Sequence, residues 1–174
     1  SPSRGLGDVY KRQGLVPMSG KLWFNAEDGA QGSELWSYDP STGSAEIVVD
    51  LFPGSSGSSP GVFSGLVPIS DRWLFFDADD GTSGIEPWVH DTLTGHTTLL
   101  GDINPGTNPS LPGYLLPFME VGNHIIFDAS NQTYGTELWA VNKTAQNWEA
   151  ILVCDIWHGS QSGQPSSNSD NPAI

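Results

Sequence analysis

Two stretches of the sequence are dense in side chains that offer oxygen ligands. They contain Asp77, Asp79, Asp80 and Glu86 in one stretch, and Asn25, Glu27, Asp28 and Glu34 in the other. Calcium takes about six to eight oxygen ligands, and short acidic loops with a glycine turn supply them well. The spacing differs from that of an EF-hand loop. Two interpretations stay open: a calcium site, or a tight turn capped by its own Asp and Asn side chains.

A glutamate recurs two residues before a tryptophan, as Glu34, Glu86 and Glu137. A carboxylate at a fixed place in each copy predicts a shared structural contact, in which it accepts backbone N–H groups of the preceding loop. The alternative is that the three carboxylates converge on a central channel, where they bind cations or a substrate.

The tryptophans that follow are Trp36, Trp88 and Trp139. Large rings at equivalent positions predict packing between neighbouring units, since each ring buries a large apolar area. The other four tryptophans do not share one repeat position. An exposed one among them is able to stack on a sugar ring.

No set of residues predicts a catalytic centre or a bound organic cofactor. Residues 57–61 match G-x-S-x-G, but a nucleophile elbow requires a strand before the serine and a helix after it. This match lies instead in a Ser/Gly/Pro connector. The four histidines show no metal-ligand spacing, and nothing pairs the single cysteine, Cys154, with a base. We therefore expect a protein that is not an enzyme.

These residues belong to a sequence that repeats three times. Glu34 and Glu86 are 52 positions apart, and Glu86 and Glu137 are 51 apart. Other short motifs recur at the same interval, such as Asp50-Leu51-Phe52-Pro53-Gly54 and Asp102-Ile103-Asn104-Pro105-Gly106. A period near ~50 residues indicates a modular array. An array favours a surface for binding over a single catalytic site.

Each repeat predicts four short strands and no helix. In the second copy the expected strands are 65–69, 73–77, 86–91 and 97–103, separated by Gly-, Asp- and Ser-rich turns. Pro87 predicts that the third strand is an edge or carries a bulge. Four antiparallel strands per unit are typical of a β-propeller blade. A β-sandwich is the alternative fold, but it does not require each unit to repeat the same sequence motifs.

The fold class is therefore an all-β, β-propeller-like array of about three four-stranded antiparallel blades. The expected blades are residues 14–60, 61–112 and 113–160, followed by a polar linker or disordered tail at 161–174. Residues 3–13 resemble a translated sequencing adapter, so 1–13 are expected not to be native. Three blades are too few to close a propeller. We expect a fragment of a larger propeller, with further blades of the same protein and a native N-terminus beyond the chain.

The net charge of the chain restricts the classes of molecule that it can bind. The formal net charge is -14, and residues 1–13 carry three basic side chains and one acidic one, so residues 14–174 have a charge of -16. That balance excludes attraction to nucleic acid or an anionic membrane. No apolar run is long enough to insert in a bilayer. One cysteine excludes a disulfide framework.

With its motifs G-x-E-L-W and D-I-x-P-G, the chain resembles the ELWxxDGT repeat family over residues 14 to about 160. The resemblance implies a secreted or cell-surface protein built from propeller-like repeats. The chain departs from the family pattern after the tryptophan of the first and third copies, where Ser37-Tyr38-Asp39-Pro40 and Val141-Asn142-Lys143 replace the DGT element. The third copy also has Ser130-Asn131-Gln132 in place of the acidic pair and glycine, which disfavours a shared ligand site there.

The function expected from these observations is non-enzymatic binding or adhesion at an extracellular or cell-surface location. The partner is a glycan or a protein surface, and calcium stiffens the array. The alternative is a fragment of a propeller-type polysaccharide hydrolase or lyase. Its acid and base are then carboxylates that face the channel, since glycosidases commonly use two of them.

Overall fold

The computed structural model describes residues 14–144 and 148–156. Over this part the chain forms twelve β-strands and no helix. The first four strands are β1 (Val16–Met18), β2 (Lys21–Glu27), β3 (Ser33–Asp39) and β4 (Ser44–Val49). The next four are β5 (Val67–Ile69), β6 (Trp73–Asp79), β7 (Ile85–Asp91) and β8 (Thr97–Leu99). The last four are β9 (Met119–Val121), β10 (His124–Asn131), β11 (Gly135–Asn142) and β12 (Ala150–Cys154).

The twelve strands form three antiparallel sheets of four strands, each in chain order. This confirms the predicted all-β array of three four-stranded, propeller-like blades. Each sheet lies within one of the ranges 14–60, 61–112 and 113–160, whose bounds stay predictions. The expected adapter segment 1–13 and the polar tail 161–174 lie outside the described residues.

The turn before the fourth strand has the same chemistry in the first two blades. In the first blade the Asp39 carboxylate accepts the N–H of Ser41 at 2.8 Å, and Gly43 N–H closes the turn on Asp39 C=O at 2.8 Å. Asp91 and Gly95 repeat these contacts in the second blade. A short side-chain acceptor at the first position stabilises the turn. The turn therefore joins the third and fourth strands of these two blades as a tight hairpin.

Of the two alternatives predicted for Pro87, an edge strand or a bulge, the edge strand is wrong. Strand β7 lies inside the sheet, between β6 and β8. Proline is tolerated because regular pairing with β8 begins one residue later, at Trp88 opposite Leu99. The flanking blades have a bulge at the equivalent step, between Leu35 and Trp36 and between Leu138 and Trp139. The N–H that proline lacks thus belongs to an irregular part of the ladder.

The hydrophobic core lies between the blades rather than within one of them. Successive residues of β6 point to opposite sides of the sheet. Leu74 and Phe76 pack toward the first blade, whereas Phe75 packs toward the third. Because this strand is buried on both faces, it reads as a continuous apolar run instead of an alternating one. Each buried phenylalanine contributes about 1.5–3 kcal/mol of transfer free energy.

Two of the three recurring tryptophans take part in this core, as predicted, whereas Trp36 is half-buried and belongs to neither cluster. Trp88 belongs to the cluster between the first and second blades, and Trp139 to the cluster between the second and third. Each indole N–H donates to an alanine carbonyl of the second strand, Ala78 at 3.1 Å and Ala129 at 3.2 Å. These contacts satisfy the polar edge of a ring that is otherwise buried.

Candidate functional site

The acidic loops and the segments between blades lie at the same end of the sheets. A second strand ends, and a third strand begins, at this end, and the antiparallel fourth strand returns to it. The chain then crosses to the next blade through two long segments. We call residues 50–66 connector 1 and residues 100–118 connector 2. Loops of this kind are where rigid scaffolds commonly carry their binding residues.

Each recurring glutamate is buried and accepts hydrogen bonds from the connector that follows it. Glu34 accepts the N–H groups of Ser58 at 2.7 Å and Leu51 at 3.2 Å, and also the Ser58 hydroxyl. Glu86 accepts the N–H of Ile103 at 3.0 Å, and from Ser110 both the N–H at 3.1 Å and the hydroxyl at 2.7 Å. A carboxylate with several donors locks the backbone that supplies them.

Glu137 accepts the N–H of Ile156 at 3.2 Å, the same repeat position as Ile103. The predicted carboxylate-to-backbone contact is therefore confirmed in all three blades. The predicted donors were wrong: they belong to the following connector and not to the preceding loop. The reason is that the chain after the fourth strand turns back over the start of the third strand.

A second buried carboxylate holds the other half of each connector. Asp77 accepts the N–H of Ser64 at 2.8 Å and of Phe63 at 3.2 Å, and the Ser64 hydroxyl at 2.6 Å. In the third blade Asp128 accepts the N–H of Leu116 at 2.7 Å and of Leu115 at 3.2 Å. Each connector is thus fixed by a glutamate of one blade and an aspartate of the next.

Burial alters the proton affinity of these groups. Desolvation raises the pKa of Glu86 to about 7, although donors from Ser110, Ile103 and Asn104 favour its charged form. Desolvation also raises the pKa of Asp77 and of Asp128. Loss of hydration disfavours the ionised carboxylate, and the hydrogen bonds offset only part of that cost.

The remaining acidic residues of the predicted calcium set lie on the loops. Asp28 accepts the N–H groups of Ala30 and Gln31, each at 2.8 Å, and these bonds lower its pKa. Asp80 accepts those of Thr82 at 2.8 Å and Ser83 at 2.7 Å. Partial desolvation raises the pKa of Asp80, but these bonds outweigh it and the pKa is lowered.

The Asp79 carboxylate accepts the N–H of Gly81 at 2.7 Å. The Asn25 amide donates to the carbonyl of Pro60 at 3.1 Å, and Glu27 is exposed. The calcium set is therefore divided. Glu34, Asp77 and Glu86 hold connectors, while Asp28, Asp79 and Asp80 cap turns. Among residues 14–144 and 148–156, no three His, Cys, Asp or Glu side chains are grouped so that they can hold a metal ion. Calcium binding stays a prediction.

The connectors carry an exposed apolar surface that the sequence analysis missed. We call it the connector patch, and its members are Val62, Phe63, Tyr114, Leu115 and Leu116, which are between 39% and 60% exposed. The Phe63 and Tyr114 rings meet edge to face with centroids 5.7 Å apart. The patch therefore spans both connectors. The recurrence of Pro60-Gly61 and Pro112-Gly113 before these residues was the available signal.

The serine of the G-x-S-x-G match lies in connector 1. Ser58 is buried and its hydroxyl donates to Glu34. This serine is a structural partner of the recurring glutamate. Asp128, Ser64 and Ser110 also hold connectors and were not singled out from the sequence. The repeat positions of Asp128 and Ser110, equivalent to those of Asp77 and Ser58, were a signal that could have identified these two residues.

A shallow depression of about 540 Å³ lies at the opposite end of the sheets. Its lining includes Met18, Lys21, Tyr38, Pro40 and Asp71. Ser19 N–H donates to the Asp71 carboxylate at 2.7 Å, so the hairpins of the first two blades meet there. No helix in the described part of the chain is suited to cross a membrane.

No family model matches the chain, and a comparison with curated proteins finds no significant match. Among solved structures, the chain is similar to a mutant puromycin hydrolase in complex with PGG, with a TM-score of 0.52 and 14% identity. That likeness covers 85% of this chain and 20% of the hydrolase chain. TolB from Acinetobacter baumannii gives a TM-score of 0.44 at 15% identity, covering 82% of this chain and 31% of TolB.

At this identity the likeness to the hydrolase concerns the fold alone, and it agrees with an array of propeller-like blades. This chain spans about one fifth of the hydrolase's length.

Proposed function

We propose that this β-propeller-like module serves in non-enzymatic binding or adhesion, as part of a secreted or cell-surface protein. The ligand is a protein or glycan surface, and it contacts the connector patch. The observation that carries the proposal is the exposed pair of Phe63 and Tyr114, which stands on backbone held by Asp77 and Asp128.

Rigidity is the first argument for a binding role. Phe63 donates its N–H to Asp77, and the neighbour of Tyr114, Leu115, donates to Asp128. The side chains of Phe63 and Tyr114 nevertheless project into solvent. A fixed aromatic surface loses little conformational entropy when a ligand covers it, which favours affinity. Aromatic anchors of this type commonly dominate interface energetics.

The composition of the patch supports a protein ligand over a glycan. Val62, Leu115 and Leu116 surround the two rings with aliphatic surface. Contiguous exposed apolar side chains mark interaction sites in soluble proteins. A glycan uses mainly the faces of the rings and adjacent polar groups. Calcium enters this proposal as a stiffening ion at the loop acids Glu27, Asp28, Asp79 and Asp80.

The enzymatic alternative has less support. A glycosidase needs two carboxylates beside the scissile bond. Glu34, Asp77 and Glu86 are buried and engaged with the connectors. Nothing among the described residues favours polysaccharide cleavage over binding.

The test compares the wild type with the double variant Phe63→Ala/Tyr114→Ala. The probes are a printed polysaccharide array and a panel of purified cell-surface proteins. The matched control is Leu93→Ala, since Leu93 is 75% exposed in the β7–β8 turn at the other end of the sheets. We expect binding that falls at least tenfold in the double variant and is retained in the control. Binding that is equal in all three proteins, or absent with both probes, contradicts the proposal.

A further inference from the structure

The outer face of the third blade exposes apolar residues at positions that are buried in the second blade. Val121 is 54% exposed, whereas its equivalent Ile69 is 6% exposed beneath the third blade. Val153 is 49% exposed and its equivalent Leu100 is 1% exposed. Ile156 is 56% exposed, whereas its equivalent Ile103 is 5% exposed. The third blade therefore presents the surface that, one repeat earlier, receives another blade.

The first blade shows the complementary pattern on its opposite face. Leu15 is 63% exposed, while its equivalents Leu66 and Phe118 are buried against a preceding blade. Phe24 is half-buried, while its equivalents Phe76 and Phe127 are fully buried. The two ends of the array are thus the two different halves of one blade-to-blade interface.

We propose that two copies of this chain associate head to tail, with the third blade of each copy packed on the first blade of the other. A second copy fits these faces because they continue an interface that the chain already forms twice. Interfaces of this head-to-tail kind generate rings when the rotation closes. Two copies of the described blades supply six, which falls within the four to eight typical of closed propellers. If further blades of the same protein cover the two faces instead, the chain alone stays monomeric.

The internal interfaces also predict which residues meet across the proposed contact. A Cβ placed on Gly101 of the second blade lies 3.9 Å from the Cβ of Ala150 in the third. By repeat position, Cys154 replaces Gly101 and Ala45 replaces Ala150. Cys154 and Ala45 are both exposed, at opposite ends of the array. A Cβ separation of about 3.5–4.5 Å is the range in which disulfides form.

The first experiment is sedimentation equilibrium of the full chain over a concentration series. We expect a species of twice the chain mass of 18.6 kDa. Val153→Asp, on the proposed interface, weakens association at least tenfold because it desolvates a charge between apolar surfaces. Leu93→Asp is the control, as it adds the same charge to an exposed leucine outside both faces. Circular dichroism verifies that both variants keep their strands.

The second experiment uses Ala45→Cys, which we expect to form a disulfide with Cys154 of another copy under mild oxidation. Leu93→Cys provides the background of random crosslinking. Efficient crosslinking in the first variant alone supports the head-to-tail contact. A wild type that is monomeric at all concentrations overturns the proposal. So does association that Val153→Asp leaves unchanged, or crosslinking that is equal in the two cysteine variants.

Discussion

The hydroxyl of Ser110 donates to Glu86 at 2.7 Å, and Ser58 makes the same contact with Glu34 in the preceding repeat. In both cases the serine belongs to a connector and the glutamate to the third strand of the blade before it. Two residues separated by 24 positions are thereby joined in the same way in two blades. This contact fixes the path along which the chain leaves one blade for the next.

Ser110→Ala is expected to lower the free energy of unfolding by about 1–3 kcal/mol, because it removes a donor from a buried carboxylate. Urea denaturation followed by tryptophan fluorescence measures the change. The matched control is Ser55→Ala, an exposed serine of connector 1, for which we expect less than about 0.5 kcal/mol. Equal effects from the two substitutions argue against the role of the Ser110 contact.

The pKa of Glu86 predicts how stability changes with pH. Its value of about 7 in the folded protein exceeds the ordinary 4.5, so the folded state binds this proton more tightly than the unfolded chain. The stability from this group is fully present below the unfolded pKa and is lost as the pH rises through about 7. Glu86→Gln removes that dependence.

His90 acts in the opposite direction. Burial lowers its pKa from 6.5 to about 4, so its contribution is present above pH 6.5 and is lost as the pH falls toward 4. The two groups therefore oppose each other at intermediate pH. The informative quantity is the stability of the wild type minus that of Glu86→Gln, which we expect to decrease from pH 5 to pH 8. Parallel pH profiles for the two proteins rule out the raised pKa.

Gly57 marks a close approach between connector 1 and β3. Its φ is 74°, and a Cβ there lies 2.1 Å from the backbone nitrogen of Ser33. Gly43 has a φ of 73° with nothing near its Cβ direction, so it isolates the conformational cost from the clash. Gly57→Ala is expected to destabilise by more than Gly43→Ala, which costs about 1 kcal/mol as an alanine at positive φ. Thermal melting of both variants checks this, and similar losses contradict the close contact.

Calcium titration by calorimetry tests the loop acids. We expect saturable binding that raises the melting temperature, because a ligand that binds only the folded state stabilises it. Asp28→Asn/Asp80→Asn is expected to weaken that binding. Glu46→Gln, which changes an exposed carboxylate of β4 outside the acidic loops, serves as the control. No heat and no thermal shift assign the loop acids to turn capping alone.

The blade architecture was predictable because the same sequence motifs recur at a fixed interval. Strand β6 was expected at 73–77 and extends to Asp79. Strand β8 was expected at 97–103 but ends at Leu99, because connector 2 begins at the next residue and its backbone turns at Gly101, with a φ of 153°. The strands were visible since each carries its own apolar run. Their ends depend on connector contacts that no local pattern records.

The candidate site was less predictable than the fold. The recurrence of Glu34, Glu86 and Glu137 indicated a shared contact, but the donors lie 17 to 24 residues further along the chain. Asp77 resembled a metal ligand because its neighbours are also acidic. Its burial and its contact with connector 1 depend on the packing of two blades. The connector patch was missed because Phe63 and Tyr114 lie in Gly- and Pro-rich segments that read as linkers.

Buried carboxylates hold the backbone of the connectors rigid, while the apolar side chains of the connectors stay exposed. Amide hydrogen exchange of Phe63, Ser64, Leu115 and Leu116 tests this rigidity most directly. We expect these N–H groups to exchange slowly, as slowly as those of the central strands, because Asp77 and Asp128 accept their hydrogen bonds. Exchange as fast as that of Thr94, in the exposed turn between β7 and β8, would show that the connectors are open loops and would contradict rigid connectors.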